Sequence, residues 1–163
     1  MKNIYLLQAS NLGGYRGTFL AWAPYAVGCL WAYVSQFKEI TDHIDLKEMM
    51  ALKEPIGDIV DRLDNPDMFG FSSYVWNFNY NIELSRRIKE HYPNCKIVFG
   101  GPHINRKTLG DYPHIDAIII AEAELSLYSR ILLLMMYRLY TKEKGLITLI
   151  YYLVRMLQEC LIN

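Results

Sequence analysis

Four short stretches of this chain carry residues able to hold a ligand. They are Ser10-Asn11-Leu12-Gly13-Gly14, Ser72-Ser73-Tyr74-Val75-Trp76-Asn77, Gly100-Gly101-Pro102-His103 and Ala121-Glu122-Ala123-Glu124. Together they offer small residues, hydroxyls, the aromatic pair Tyr74 and Trp76, and one imidazole. That mixture suits a large, flat, partly apolar cofactor better than a phosphate alone. No G-x-x-x-x-G-K-[ST] loop is present, and Leu12-Gly13-Gly14-Tyr15-Arg16-Gly17 lacks the dinucleotide-binding spacing. Each residue also has a plainer role. Gly100-Gly101 either make a tight turn or bare the backbone for a ligand. His103 either stands beside a ligand or is solvated, and Tyr74 and Trp76 either pack on a ligand or serve as core or interface aromatics. Glu122 and Glu124 form a conceivable acid–base pair, but the preferred reading turns one to solvent and uses the other to tie down a loop backbone or to contact amide groups of a ligand. Asp42, Asp45, Asp58 and Asp61 fall on separate elements or polar faces and make no metal cluster.

These stretches must be brought together by the elements before them. Ile4–Leu7 is an apolar run that predicts a first strand, and His43–Met49 predicts a weak edge strand. Met68–Ser72, the run Ile97-Val98-Phe99 ahead of Gly100, and Ile115–Ile120 predict three further strands, the middle one apolar enough to be buried on both faces. Between them lie helical patterns: Pro24 to Phe37 with Pro24 at the first helical position, Pro55–Leu63, a helix that follows the loop Ser73–Asn79 and runs to His91, and a short helix or turn at Arg106–Tyr112. Strands alternating with helices predict a doubly wound, five-stranded parallel sheet in three α/β/α layers, Rossmann-like and specifically flavodoxin-like, with strand order 2-1-3-4-5. In such a sheet all four stretches fall at the carboxyl edge, where ligands bind. The first helix is apolar almost all round, more than covering a sheet requires, so its surplus points to a ligand or a second body.

Composition bounds the rest. The chain has 163 residues, 52% of them apolar, and a formal net charge of zero. That supports one well-cored domain and argues against a nucleic-acid surface. Charge is unevenly spread, with residues 1–125 net acidic and the remainder net basic. Cys29, Cys95 and Cys160 have neither metal-site nor redox spacing, which suits a reducing compartment. The opening run is too short for a signal-peptide core, so a cytoplasmic location is expected. Leu125–Tyr140 is read as the last helix of the fold and Leu146–Leu161 as an amphipathic helix, short for a bilayer span.

At this level the residues resemble a family. Phe69-Gly70-Phe71-Ser72-Ser73-Tyr74-Val75-Trp76-Asn77, then Val98-Phe99-Gly100-Gly101-Pro102-His103, then Ile115–Glu124 are similar to the N-terminal cobalamin-binding domain of cobalamin-dependent radical SAM proteins. The resemblance covers roughly residues 2–130. It implies cobalamin at the carboxyl edge. The cofactor-binding residues would be Ser10, Asn11, Leu12, Gly13, Ser72, Ser73, Tyr74, Val75, Trp76, Gly100, Gly101, Pro102, His103, Ala121, Glu122 and Ala123. In such domains the serine contacts the nucleotide tail, and the glycines let that tail pass between sheet and helix. No residue of this chain is assigned a catalytic role or metal ligation.

Three departures from the wider pattern matter. There is no Asp-x-His-x-x-Gly motif, so cobalt would lack a histidine beneath it. Ala121-Glu122-Ala123-Glu124 stands where the family usually has Gly-Glu-Gly-Glu, adding a methyl at two tight positions. No Cys-x-x-x-Cys-x-x-Cys motif occurs, so no iron–sulfur cluster is expected in this chain. The expectation is a cobalamin-binding domain over residues 1–140 and a helical tail over 141–163, with any methyl transfer needing a radical SAM domain in trans or lost. The alternative is a cofactor-free interaction or regulatory module, or a truncated remnant.

Overall fold

The computed structural model describes residues 1–10 and 23–119. Five strands build one sheet: β1 (Lys2–Ser10), β2 (Ile44–Leu52), β3 (Met68–Ser72), β4 (Lys96–Gly100) and β5 (Ala117–Ile118). Their order is β2-β1-β3-β4-β5, and every neighbouring pair runs parallel. This is the order expected from the alternation of strand and helix patterns. Parallel strands need crossovers, and the chain supplies α1 (Tyr25–Val34), α2 (Lys38–Thr41), α3 (Ile56–Arg62), α4 (Phe78–His91) and α5 (Thr108–Asp111).

Side-chain alternation divides the core. Tyr5, Leu7, Ala9, Phe69, Phe71, Ile97 and Phe99 face α3 and α4, meeting Ile59, Val60, Leu84 and Ile88. Ile4, Leu6, Met68, Val98, Ala117 and Ile119 face α1 and α2, meeting Val27, Val34 and Ile40. Covered on both sides, the central strands are continuous apolar runs rather than alternating ones.

The amino edge of the sheet is tied by charge. Lys2 pairs with Asp67, whose other oxygen accepts the Asn3 N–H at 3.0 Å. Asp116 accepts from Lys89 at 2.7 Å, from Lys96 at 3.1 Å and from the Ile97 N–H at 2.8 Å. Burial would raise the Asp116 carboxyl, but the Ile97 N–H and the two lysines outweigh it and hold it below its ordinary range.

Several boundaries differ from the sequence pattern. Pro24 and Pro55 do not open their helices; each stands one residue before, with ψ of 63° and 129°. The Pro24 carbonyl still accepts the Gly28 N–H at 2.9 Å. The first helix ends at Val34, and α2 follows it as a separate turn. β2 runs on to Leu52 because its later residues keep pairing with β1 up to Ser10. Helix α4 begins at Phe78, two residues earlier than expected. Ile115 is buried in the core but precedes the strand proper. Ile120, the helices expected over 125–140 and 146–161, and the boundary at 140 lie outside the described residues.

Candidate functional site

Two loops at the carboxyl edge are locked together by backbone. The Ser73 N–H donates to the Gly100 carbonyl at 2.7 Å, and the Ser73 carbonyl accepts the His103 N–H at 3.2 Å. Gly101 has φ of +103°, and a Cβ there would lie 2.6 Å from the Ser73 carbonyl oxygen. Only glycine permits both the angle and the approach. Its freedom serves contact between the two loops, while Gly100 has ordinary space, 3.7 Å from Ile119 Cβ.

Asn77 fastens the same edge from within. Fully buried, its amide nitrogen donates to the carbonyls of Ala9 and Ser72, both at 3.0 Å, and its amide oxygen accepts the Tyr74 N–H at 2.8 Å. One side chain thus joins the ends of β1 and β3 and closes the turn between them. Asn81 adds a bond to the Ser73 hydroxyl at 2.9 Å. Lys53 reaches in from the end of β2 to the Trp76 carbonyl at 2.6 Å.

Beneath these loops lies a cavity of about 420 Å³ between the sheet and α1. Its sheet wall is Leu6, Gly70, Ser72, Val98 and Ile119, with Gly100 and Gly101 beside them; α1 contributes Tyr25, Ala26, Val27, Cys29 and Leu30, and Tyr74 stands at the loop. Strand register orders this wall. Ser72 pairs with Gly100 at the rim. Two residues lower, Gly70 lies between Leu6 and Val98. Gly70 removes a side chain from the middle of a fully buried strand, which is what leaves space there. The opposite wall is fixed by Gln8 of β1, whose side-chain oxygen accepts the Ala26 N–H at 2.8 Å. That bond satisfies a donor of the first turn of α1, where no N-cap side chain does so.

The expected site residues separate into groups. Ser72, Tyr74, Gly100 and Gly101 line the cavity. Ser73 is fully buried, does not line the cavity, and holds the loops, its hydroxyl turned to Asn81 of α4. Trp76, 58% exposed, stacks on Tyr74 with ring centroids 4.5 Å apart, and Val75 is 77% exposed, so both form a ledge outside the cavity. Ser10 turns to β2, donating to the Ala51 carbonyl at 2.9 Å. Pro102 is exposed. His103 turns its ring to Phe78, centroids 4.7 Å apart, rather than to the cavity. Asn11, Leu12, Gly13, Ala121, Glu122 and Ala123 lie outside the described residues.

The cavity's other residues were not among the expected site residues: Leu6, Gly70, Val98 and Ile119 of the sheet, and the individual residues of α1, although that helix was expected to meet a ligand or a second body. Two signals pointed to them, a glycine inside an apolar strand and a helix apolar beyond its need. Lys53 left no signal, and Asn77, though inside an expected loop, gave no sign of its role, because each acts through the backbone of a distant segment.

No charged side chain lines the cavity among the described residues. The Tyr25 phenol is held above its ordinary range, first by its hydrogen bond to Cys29. Among the described residues a serine–histidine pair, Ser85 and His114 at 2.9 Å, lies on the α4 side, with Ser85 fully buried. Burial, then Arg86 and Lys89, push the His114 imidazole below its ordinary range. Among the described residues no group of three His, Cys, Asp or Glu side chains is placed to hold a metal ion, and no helix is long and apolar enough to cross a membrane. Among the described residues the lining is therefore a mostly apolar hollow with hydroxyls at its rim and no acid or base group.

Comparison with known proteins agrees with this geometry. Residues 28–129 match the model of the B12 binding domain. The cobalamin-dependent radical SAM methyltransferase TokK of Streptomyces tokunonensis is 31% identical over 106 residues, covering 63% of this chain and 16% of that protein. The 2-(S-pantetheinyl)-carbapenam-3-carboxylate methyltransferase of Streptantibioticus cattleyicolor is 30% identical over 105 residues, covering 62% of this chain and 15% of that protein. The match thus spans less than a fifth of the length of these curated relatives. With the sheet order, the hollow beneath its carboxyl edge and a family match across most of the chain in agreement, the chain belongs to the B12-binding domain family, and its cofactor is cobalamin.

Proposed function

We propose that this domain holds cobalamin at the carboxyl edge of the sheet, with the nucleotide tail entering the cavity between α1 and the sheet and the corrin lying over the rim. The observation that carries this reading is the hollow over Gly70. It is roomy enough for a flat heteroaromatic base and its linkage, at about 420 Å³, but too small for a corrin. Ser72 would meet the tail at the rim, the Gly100-Gly101 backbone would border its path, and the stacked Tyr74 and Trp76 would offer an aromatic bed for the macrocycle. A tail base inside the cavity is not on cobalt, and no described histidine is placed to replace it, since His103 faces Phe78.

The relatives' names extend the reading to methyl transfer in a radical SAM system. Bound cobalamin would supply a cobalt centre able to carry a methyl group. This domain would bind and orient it, while the iron–sulfur cluster and the substrate site belong to further protein, in the same polypeptide or in trans. Among the described residues no charged group lines the cavity, which supports a carrier rather than a catalyst.

The test is a visible-absorption titration of the purified protein with hydroxocobalamin, followed by gel filtration, with tail-less cobinamide in parallel. Co-elution of cobalamin, a spectrum marking release of the base from cobalt, and weaker retention of cobinamide are expected. No co-elution from folded protein at saturating ligand, or equal retention of the two corrinoids, overturns the proposed placement.

A further inference from the structure

We infer that the cavity selects among cobamides by the base of the nucleotide tail, favouring dimethylbenzimidazole over adenine. This rests on the placement proposed above and goes beyond it to the chemistry of the deepest part of the ligand. The cavity is graded. Its polar groups stand high: Ser72 shares the rim row with Gly100, and Tyr25 is the first residue of α1. Cys29, one turn on in α1, adds a thiol, a weak donor, to the helix wall rather than to the sheet floor. Two residues down the strands, about 7 Å at the usual rise, the floor is the row Leu6–Gly70–Val98.

Among the described residues that floor offers no side-chain donor or acceptor. Its main-chain groups belong to a sheet paired on both sides, β3 lying between β1 and β4. Dimethylbenzimidazole ends in two methyl groups, which lose nothing by leaving water for Leu6 and Val98. Adenine ends in an amino group and ring nitrogens. Buried against the same floor they keep no partner, and unpaired buried polar groups are costly. The expected discrimination is about ten- to hundredfold.

The deciding experiment compares cobalamin with its adenine-tailed analogue as reduced cob(I) forms, by anaerobic equilibrium dialysis. In that state neither base ligates cobalt, so ease of base release does not enter the ratio. Cobalamin binding at least tenfold more tightly is expected. Val98→Thr, which puts a hydroxyl on the floor at nearly constant volume, should shrink the ratio severalfold by improving the adenine form. Equal affinities for wild type overturn this inference alone, as does a ratio unchanged in folded Val98→Thr. If cobalamin itself is not retained, or is retained no better than cobinamide, the placement beneath the inference fails with it.

Discussion

The two faces of the sheet solve opposite problems. Toward α3 and α4, aromatic rings run across the strands in an unbroken stack. Tyr5 lies on Phe69 with centroids 5.8 Å apart, Phe69 on Phe71 at 4.7 Å, and Phe71 on Phe99 at 4.6 Å. Toward α1 the same strands place Gly70 between Leu6 and Val98, and Gly100 beside Ile119. One face is filled to stabilise the fold. The other is left hollow, where the proposed nucleotide tail would enter. Pleating lets one strand do both, since β3 reads Phe69 and Phe71 to one side and Gly70 and Ser72 to the other. Substitutions on the filled face should therefore act on stability, and those on the hollow face on binding.

The largest effect is expected from Phe99→Ala. Phe99 is fully buried and ends the stack. Its loss should cost about 3–5 kcal/mol in urea unfolding. A cost below about 1 kcal/mol would mean that the stack does not carry the fold. Next comes Gly101→Ala, at the seam between the faces. The new Cβ meets Ser73 backbone at 2.6 Å with φ at +103°, and the rigid neighbour cannot give way. A stability loss of about 1–3 kcal/mol is expected from the backbone angle alone, more with the clash. Both loops would shift, so hydroxocobalamin affinity should fall with it.

Gly70→Ala separates the faces most sharply. Its Cβ would come 2.8 Å from Leu6 Cδ2, the movable end of a side chain, and alanine suits the strand better than glycine. Stability should stay within about 1 kcal/mol of wild type, while hydroxocobalamin affinity drops about tenfold as the methyl and the displaced Leu6 invade the cavity. Affinity unchanged in Gly70→Ala would show that the tail does not lie over Gly70. Lys53→Met keeps the stem but loses the bond to the Trp76 carbonyl and the cation 6.0 Å from the Tyr80 ring. A twofold to tenfold loss of affinity, with faster amide exchange over 73–78 and restoration by Lys53→Arg, is expected of an exposed charge-assisted bond.

The filled face was easier to read from sequence than the hollow one. Runs such as Met68–Ser72 and Ile97–Phe99 declare themselves by hydrophobicity, and their spacing fixes the strand order through the crossover rules. The carboxyl-edge loops were legible too, because small and aromatic residues after apolar runs fall there in any doubly wound sheet. Which of those residues line the cavity was not legible. Gly100 and His103 are three positions apart, yet the turn at Gly101 sends one to the α1 side and the other to Phe78. Asn77 looks like any loop asparagine until the ends of β1 and β3 are brought to it. Hydrogen bonds between segments some seventy residues apart, such as Asn77 to Ala9, leave no trace in local pattern.

The smallest predicted effect concerns acid, and it again divides the faces. His114 and Asp116 both sit below their ordinary ranges, the first through burial and then the cations Arg86 and Lys89, the second because the Ile97 N–H and two lysines outweigh burial. For each, the unfolded chain takes up a proton at higher pH than the folded one. Stability therefore declines as the pH falls through the unfolded value and on to the folded one. The His114 contribution starts to go below its ordinary value of 6.5, and that of Asp116 below its ordinary value of 3.8. Two acid limbs should appear in urea midpoints followed from neutral pH downward. His114→Gln should flatten the first and Asp116→Asn the second, the latter also lowering stability at neutral pH by breaking its ties to Lys89 and Lys96. The cavity has no carboxylate, imidazole or cation among its described lining. Hydroxocobalamin affinity measured between pH ~5 and ~7 should accordingly stay level in His114→Gln and wild type alike. A shared titration of affinity and stability in that range would mean that the α4 side and the cavity are coupled through the sheet.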